Sequence, residues 1–442
     1  MRERGRPPRR KPKSPLWAKL TVAFGALVML GSGLSVAVPK LAAWWALDKV
    51  EQISGIPDEL RGQTLTGDVN FLLLGLDQSL NSTIKTSPRS DSIVLVHIPA
   101  SHKQVYMISL PRDLLVPVMP AMPEVGFKHD YTSDEYPMKL TEAFYVGARS
   151  ADPQYADVNW DSRPRDVSKE ALERGIGETT KVISELVPGG LKFHGSAIID
   201  FTGFDKVVEA IGGVHMCVDF NGKVVKDSNG QTPDGIWSIH RYANGKLLPQ
   251  SMSRTAQNYG SSAERATRSQ RAHYTEGCQD LKPWQALDLS RQRDQYTNTD
   301  YGRQAMQQQL LMAIVKKVAS PDTLTNFKTI GKLQQAAGNL LKLDLGGHAV
   351  EDWVLTLKDL RPNDMTPIST YGSGDASFHF PSVTLVRGGV PLSFQRVEPE
   401  LVQLLTAVKN DTVDAFLAQH PTWVAKNAQS TGEPTTGPTT TP

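Results

Sequence analysis

The sequence carries closely spaced arginines in a stretch that leads into an apolar helix. In SRQRDQYTNTDYGRQAMQQQ, residues 290–309, they are Arg291, Arg293 and Arg303, and Gln307 follows four residues later. Side chains two apart on an extended segment share a face, as do side chains four apart on a helix. Guanidinium groups are planar forks that suit phosphate oxygens, although any single arginine could simply be solvated. We predict that this stretch contributes to a phosphate-binding site.

Further charged residues stand beside three predicted strands. Asp77 follows the apolar run NFLLLGL, Arg89 and Asp91 precede SIVLV, and Arg112 and Asp113 follow VYMISL. Ligand sites of open α/β sheets form at strand ends, and Mg²⁺ is commonly held by one or two carboxylates together with substrate phosphate oxygens. These positions predict a site for Mg²⁺ and a diphosphate.

The elements that must position these residues alternate between strands and helices. Short apolar runs between residues 69 and 110 predict buried strands, and 138–150 and 167–187 have helical periodicity. A strand at 193–200 and a helix after residue 302 continue the pattern. This alternation predicts an α/β fold, specifically a three-layer α/β/α sandwich around one mixed central sheet.

The amino terminus has the pattern of a membrane anchor. MRERGRPPRRKPK contains seven basic residues and one acidic residue, and an apolar run over 20–38 follows it. That run spans about 28 Å as a helix, close to the thickness of the hydrocarbon core. We predict a basic cytoplasmic tail over 1–15, a transmembrane helix over 16–40 and the remainder outside the cell. The alternative is a cleaved signal peptide.

The remaining chain divides by composition. We predict a connector over 41–66 and a catalytic domain over 67–418, which includes a polar insertion over 221–276. The Thr/Pro-rich segment 419–442 is predicted to be disordered.

The sequence contains two cysteines, Cys217 and Cys278, which lie near the ends of this insertion. An oxidising location predicts one disulfide that closes the insertion, while the alternative is two unrelated buried thiols. The spacing of a Cys/His zinc motif is absent from the sequence.

The overall charge is nearly balanced. The chain has 48 Lys and Arg against 46 Asp and Glu, a formal net charge of +2. No global positive field would attract nucleic acid, so we expect no nucleic-acid partner. An anionic ligand must be held by a local cluster.

Seven ordered blocks resemble the LytR-CpsA-Psr family. They are NFLLLGLD, RSDSIVLV, VYMISLPRD, MKLTEAFYVG, IIDFTGFDKVVEAIGGV, GCQDLKPWQALDLSRQRDQ and DYGRQAMQQQLLMAI. The resemblance covers about residues 69–320, and the membrane anchor and the cysteine pair are similar to those of actinobacterial members.

The resemblance implies a role for each residue that matches a family motif. Asp77 and Asp91 would hold Mg²⁺, or Mn²⁺ in its place, and Lys139 and Gln307 would complete the polar site. Asp300 occupies a position that the family keeps acidic. The residues implied to bind the diphosphate are Arg89, Arg112, Arg291, Arg293 and Arg303. One departure is Val116, where many members have a further arginine.

The implied activity is a membrane-anchored phosphotransferase. It would move a glycopolymer from a polyprenyl-diphosphate carrier onto peptidoglycan through a phosphodiester, with Asp113 or Asp300 as candidate general bases. Two alternatives remain open: a hydrolase that uses water as the acceptor, and a non-enzymatic regulator or wall-binding protein.

Overall fold

The computed structural model describes the folded chain from residue 50 to residue 424, with gaps. The described ranges are 50–76, 89–116, 137–151, 168–218, 220, 235–248, 270–292, 300–318, 320, 323, 329, 331–333, 335–336, 341–370, 381–387 and 389–424. The predicted cytoplasmic tail and transmembrane helix lie outside these ranges. Within them, no helix is both long enough and apolar enough to span a membrane.

Fifteen strands and eight α-helices have bounds within the described ranges. The strands are β1 Glu51–Gln52, β2 Val69–Leu76, β3 Ser90–Ile98, β4 Val105–Leu110, β5 Leu115–Val116, β6 Met138–Lys139, β7 Gly195–Asp200, β8 Val214–Val218, β9 Gly235–Tyr242, β10 Arg271–Thr275, β11 Gly277–Leu281, β12 Leu341–Asp344, β13 Met365–Ser369, β14 Ser382–Arg387 and β15 Val390–Gln395. The helices are α1 Leu140–Ser150, α2 Lys169–Glu185, α3 Phe201–Ala210, α4 Pro283–Ser290, α5 Asp300–Val318, α6 Val350–Leu357, α7 Pro399–Lys409 and α8 Val413–Gln419.

A mixed seven-stranded sheet forms the centre of the fold. Its order is β1-β12-β7-β2-β3-β4-β13. The pairs β1/β12, β7/β2 and β4/β13 are parallel, and the other three neighbours are antiparallel. The carboxyl ends of β2, β4 and β7 therefore lie at the same edge as the amino end of β3. This is the edge at which the sequence places its charged residues.

Side-chain alternation along the strands builds apolar layers on both faces of the sheet. Leu72 and Leu74 of β2 join a cluster that includes residues of α1, α2, α7 and α8, whereas Phe71 and Leu73 join one that includes Trp353 of α6 and residues of α5. Successive strand residues point to opposite faces, so each face needs its own cover. The predicted α/β fold with a mixed central sheet and helices on both faces is confirmed.

The segment predicted as a connector belongs to the folded domain from residue 50 onward. Glu51 and Gln52 form the edge strand β1, and Val50, Ile53 and Leu65 are buried. The predicted domain start at residue 67 is therefore too late. The apolar side chains of this segment bury area against the sheet, which a free connector would leave exposed.

The polar insertion and the carboxyl end of the folded chain also differ from the predictions. The polar insertion contains β9 and β10, which pair as an antiparallel hairpin with buried Ile236 and Tyr274. At the carboxyl end, the folded chain continues to Val424, and Trp423 is only 2% exposed. Residues 419–424, which were predicted to be disordered, are therefore folded; residues 425–442 lie outside the described chain.

Candidate functional site

The site begins with an irregularity at the start of β3. Gly75 pairs with Ser92 and the next residue, Leu76, pairs with Ser90, so Asp91 is an extra residue opposite β2. Such a β-bulge locally twists the strand and redirects a side chain, and bulges are common beside active sites. Here it presents the Asp91 carboxylate at the edge of the sheet.

Two arginines from distant parts of the chain meet at this carboxylate. Nη1 of Arg112, just past β4, lies 2.5 Å from Oδ2 of Asp91, and Nη1 of Arg303 in α5 lies 3.6 Å from the same oxygen. Thr141 donates from Oγ1 to the other oxygen at 3.4 Å. The three ionic side chains are 9 to 17% exposed, so water screens their charges less than it would at an open surface.

Asp113 extends the cluster to Lys139. Its Oδ1 accepts a bond from Nζ of Lys139 at 2.7 Å, while its Oδ2 lies 3.7 Å from Nε of Arg112. The ammonium group also lies 5.5 Å from the centre of the Phe394 ring, within range of a cation–π contact. The predicted residues Asp91, Arg112, Lys139 and Arg303 are thus brought together in one network, which we call the strand-end cluster with Asp113.

A buried ion pair supports this cluster from behind. Arg387 of β14 binds Glu142 of α1 through two parallel bonds of 2.6 and 2.8 Å, and Glu142 also accepts a bond from the backbone N–H of Lys139. The backbone N–H of Gln395 in β15 donates to the carbonyl of Asp113. The hairpin of β14 and β15 therefore fixes both ends of the Lys139–Asp113 pair.

Helix α5 connects the strand-end cluster to the end of α4. Gln307 lies one helical turn after Arg303 and donates to the carbonyl of Ser290 at 3.4 Å, while Gln308 donates to the carbonyls of Met107 and Ile368 in the sheet. The predicted shared face of Arg303 and Gln307 is confirmed. Arg291, however, is not on an extended segment: it follows α4 with helical backbone angles of φ −101° and ψ −9°. Pro283 starts this helix in a favourable first-turn position, and the helix runs to Ser290.

A buried carboxylate lies one helical turn before Arg291. Asp288 is 2% exposed and accepts bonds from Tyr274 at 2.6 Å and Ser238 at 3.0 Å. Burial raises the pKa of Asp288, while the two hydroxyl donors and the charges of Arg241 and Arg291 oppose this rise. The carboxylate ties the hairpin of β9 and β10 to the last turn of α4.

Besides the acidic Asp288, the charged neighbours of Arg291 include a second arginine, Arg241. Burial, and then the positive charges of Arg291 and Arg241, lowers the pKa of His240 to about 4. His240 is therefore neutral at neutral pH, and its imidazole adds no charge there. Arg291 and Arg241 therefore form a second group of cationic side chains, near the end of α4.

The other predicted residues differ in what the structure says of them. Arg89 is exposed and lies two residues before Asp91, with its carbonyl accepting from the Asp91 N–H. Asp77 and Arg293 lie outside the described residues, and of Asp300 only the backbone, at the start of α5, is described. Val116, where many family members have arginine, is 5% exposed in β5 and joins the apolar cluster under α1.

The residues that orient the cluster could not be singled out from the sequence. Thr141, Glu142 and Asp288 lie within blocks that resemble the family but were assigned no role. Arg387 lies outside these blocks, 245 residues from Glu142. A Glu three residues after Lys139 is the one local signal, because it resembles the third helical residue of a capping box.

The structure confirms the predicted disulfide between Cys217 and Cys278, which lie directly opposite each other on β8 and β11.

The strand-end cluster contains only part of the predicted metal site. In the described part of the chain, the one group of three or more potential metal ligands is His215, Cys217 and Cys278, and it does not include Asp91. Of the two predicted metal ligands, Asp91 is in the strand-end cluster, and Asp77 lies outside the described residues.

Comparisons with known proteins agree with the resemblance seen in the sequence. LcpA, a cell wall biosynthesis protein of Corynebacterium glutamicum, is 22% identical over 394 residues. The alignment covers 82% of this chain but only 62% of LcpA. Crystal structures of TagV and TagT from B. subtilis are 15% and 16% identical, with TM-scores of 0.47 and 0.43. They cover 79% and 81% of this chain, and 98% and 99% of their own. A model of the LytR_cpsA_psr family matches residues 40–378, which is more than half of the sequence, and the chain therefore belongs to this family.

Proposed function

We propose that this protein transfers a glycopolymer from a polyprenyl-diphosphate carrier to peptidoglycan through a phosphodiester. The observation that carries the proposal is the meeting of Arg112 and Arg303 at the Asp91 carboxylate, at a sheet edge where α/β proteins bind ligands. Membership of the LytR-CpsA-Psr family supports the same reaction class.

The chemistry follows from the charges of the cluster. An acceptor hydroxyl attacks the phosphorus that carries the glycan, the bridging P–O bond breaks, and polyprenyl phosphate leaves. Negative charge builds on the leaving phosphate, so cations that are already in place stabilise the transition state more than the ground state. A guanidinium carries five N–H donors in a planar fork that suits phosphate oxygens. Lys139 would add a third positive charge.

The acceptor hydroxyl must lose its proton during the attack. Of the two candidate bases, Asp113 already has one oxygen on Lys139 and the other near Arg112. We therefore assign Asp113 to orienting these cations. Asp300, at the start of α5, remains the proposed general base.

We also propose that Mg²⁺ takes part, held by Asp91 and Asp77. A carboxylate is the hard oxygen ligand that Mg²⁺ prefers, and the diphosphate of the donor would supply further oxygens. When bound, the ion would neutralise part of the phosphate charge. Binding of Mn²⁺, followed by electron paramagnetic resonance in the absence of substrate, should weaken in Asp91→Asn.

The donor lipid places the reaction at a membrane. We propose that residues 16–40 anchor the chain as a single transmembrane helix, with the basic tail inside the cell and the folded domain outside. Peptidoglycan is then the acceptor within reach, and no nucleic-acid partner is expected.

The test uses the full-length protein in detergent with a polyprenyl-diphosphate glycan and labelled peptidoglycan fragments. Arg112→Ala should reduce transfer roughly a hundredfold, because one lost transition-state donor costs about 3 kcal/mol. Arg303→Lys should also reduce it, since an ammonium cannot replace a planar fork. Arg174→Ala, on the exposed surface of α2, is the matched control and should keep full activity.

Each outcome has a defined meaning. Folded Arg112→Ala and Arg303→Lys proteins with full activity would refute the site. If wild-type protein releases phosphorylated glycan without any joined product, the hydrolase is correct instead. If the donor remains intact with every acceptor, in the presence of either Mg²⁺ or Mn²⁺, the protein is not a transferase of this class.

A further inference from the structure

A second group of ligand atoms lies on the β8–β11 ladder. Cys217 and Cys278 face each other across the two strands, and His215 faces Asp280 in the next pair on the same side. This follows from strand geometry, because residues two apart share a face. Sequence spacing could not show the grouping, since the ligands come from two strands that are about 60 residues apart.

The atoms are close enough to serve one metal ion. The two sulfurs and a ring nitrogen of His215 all lie within 4.8 Å of one another. Nδ1 of His215 is 2.9 Å from Oδ1 of Asp280, which leaves Nε2 for a metal. A carboxylate on the other ring nitrogen is the usual partner of a metal-binding histidine, because it fixes the ring and raises its basicity. Cys278 and His215 are exposed, and Cys217 is half-buried, so reductant and metal can both reach them.

We propose that reduction of the Cys217–Cys278 disulfide converts this ladder into a Zn²⁺ site. A protein dithiol would supply two electrons and two protons: the S–S bond breaks, two thiols form, and the dithiol becomes a disulfide. Zn²⁺ then displaces both thiol protons and binds two thiolates and the His215 imidazole, with water in the fourth position. Two sulfurs and one nitrogen are a ligand set that Zn²⁺ accepts in tetrahedral geometry.

The structural consequence is that β8 and β11 are cross-linked in both redox states. The inward side chains of β8, Val214, Met216 and Val218, share an apolar cluster with Met306 and Leu310 of α5. Arg303 lies on the same helix. A metal in the reduced protein would therefore keep the packing surface of α5 in place when the disulfide is open. This inference does not depend on the proposed transferase activity.

The experiment uses the whole protein, reduced with a phosphine, which takes up oxygen from water as the S–S bond opens. After anaerobic removal of the phosphine, Co²⁺ is added as a spectroscopic probe and Zn²⁺ is titrated against a chromophoric chelator. We expect one Co²⁺ per reduced chain, with a thiolate charge-transfer band and the intense d–d bands of a tetrahedral site. The oxidised protein should show neither.

Variants distinguish a Zn²⁺ site that includes His215 from metal binding by the two thiols alone. In the reduced protein, His215→Ala and Asp280→Asn should each weaken Zn²⁺ binding by about 10- to 100-fold. His273→Ala, an exposed histidine on β10, is the matched control and should bind as the wild type does. Far-UV circular dichroism checks that each reduced protein is folded. Equal affinity in the oxidised and reduced proteins, an unchanged affinity in His215→Ala, or a reduced chain that unfolds before metal is added would each overturn the proposal.

Discussion

Asp113 shows how a charged residue next to a reaction site can have a role other than chemistry. Its two oxygens contact Lys139 and Arg112, and its carbonyl accepts from the N–H of Gln395. Both carboxylate oxygens therefore already have cationic partners, and the side chain is placed to orient those cations rather than an acceptor hydroxyl. Its geometry instead fixes the direction in which Lys139 points.

Replacing Asp113 tests whether it orients Lys139 or takes a proton. Asp113→Asn keeps the shape but removes the charge, so it weakens the partly exposed ion pairs with Lys139 and Arg112 by about 1 kcal/mol. We expect kcat/KM for glycan transfer to fall by less than about tenfold, with an unchanged shape of its pH profile.

A general base would behave differently. A fall of 10² to 10⁴ in kcat together with loss of the acidic limb of the profile would show that Asp113 takes the proton. Lys139→Gln is the companion variant: if the two residues act as one pair, the double variant should be no worse than the more damaging single variant.

The sequence indicated four of the side chains that meet in the strand-end cluster but not how they are held. Asp91, Arg112 and Arg303 could be selected because each stands at the end of a predicted strand or on a helix face. Thr141 and Glu142 could not, because their roles depend on contacts with Asp91 and Arg387 that only the folded chain creates. Ion pairs between distant segments have no sequence signature.

The hairpin of β14 and β15 is the element on which the strand-end cluster depends. Phe394 of this hairpin is fully buried beside Lys139, and Arg387 forms the two-bond contact with Glu142. The Glu142 side chain is 7% exposed. A charge at this depth is stable only while its partner is present, since the carboxylate has lost its hydration.

Removing the partner should therefore destabilise the protein. Arg387→Ala leaves Glu142 buried without its bidentate partner, and we expect the free energy of unfolding in urea to fall by about 3 kcal/mol. Glu142→Gln in the same chain should recover part of this loss, because the uncompensated charge is then gone.

The surface pair of Arg174 and Glu170 provides the comparison. Both side chains are more than half exposed, so Arg174→Ala should change the unfolding free energy by less than about 1 kcal/mol. Similar small losses in Arg174→Ala and Arg387→Ala would mean that the hairpin is not held by its ion pair.

Elements were predictable where the apolar pattern was long and continuous. β2, β3 and β4 follow from runs of branched and aliphatic residues, and α2 follows from its periodicity and a Ser168 side chain that accepts from the Ala171 N–H. β9 and β10 were missed because the polar residues that flank them hide two short strands, which acquire their order by pairing with each other. Pairing across a long loop is a tertiary event, and local sequence does not specify it.

At the scale of the molecule, the amino-terminal segment of the folded domain completes the far side of the sheet. β1 pairs in parallel with β12, and both oxygens of the buried Asp344 in β12 accept backbone N–H bonds. Gly55 and Ile56 donate two of these, at 2.7 and 2.9 Å. The segment that the sequence assigned to a connector thus supplies an edge strand and the donors for a buried carboxylate.

Removing this segment should have a cost comparable to the stability of a whole domain. A chain that begins at residue 67 loses buried Val50, Ile53, Ile56 and Leu65. At about 1.5 to 3 kcal/mol for each side chain, the loss is roughly 6 kcal/mol or more, against a typical total of about 5 to 15. We expect this chain to be unfolded or to melt far below one that begins at Ala46, as measured by circular dichroism. The control is Glu51→Gln in the longer chain, which removes only the ion pair with Lys342 and should cost less than about 1 kcal/mol. If the chains that begin at residues 46 and 67 melt at the same temperature, β1 is not needed to close the sheet.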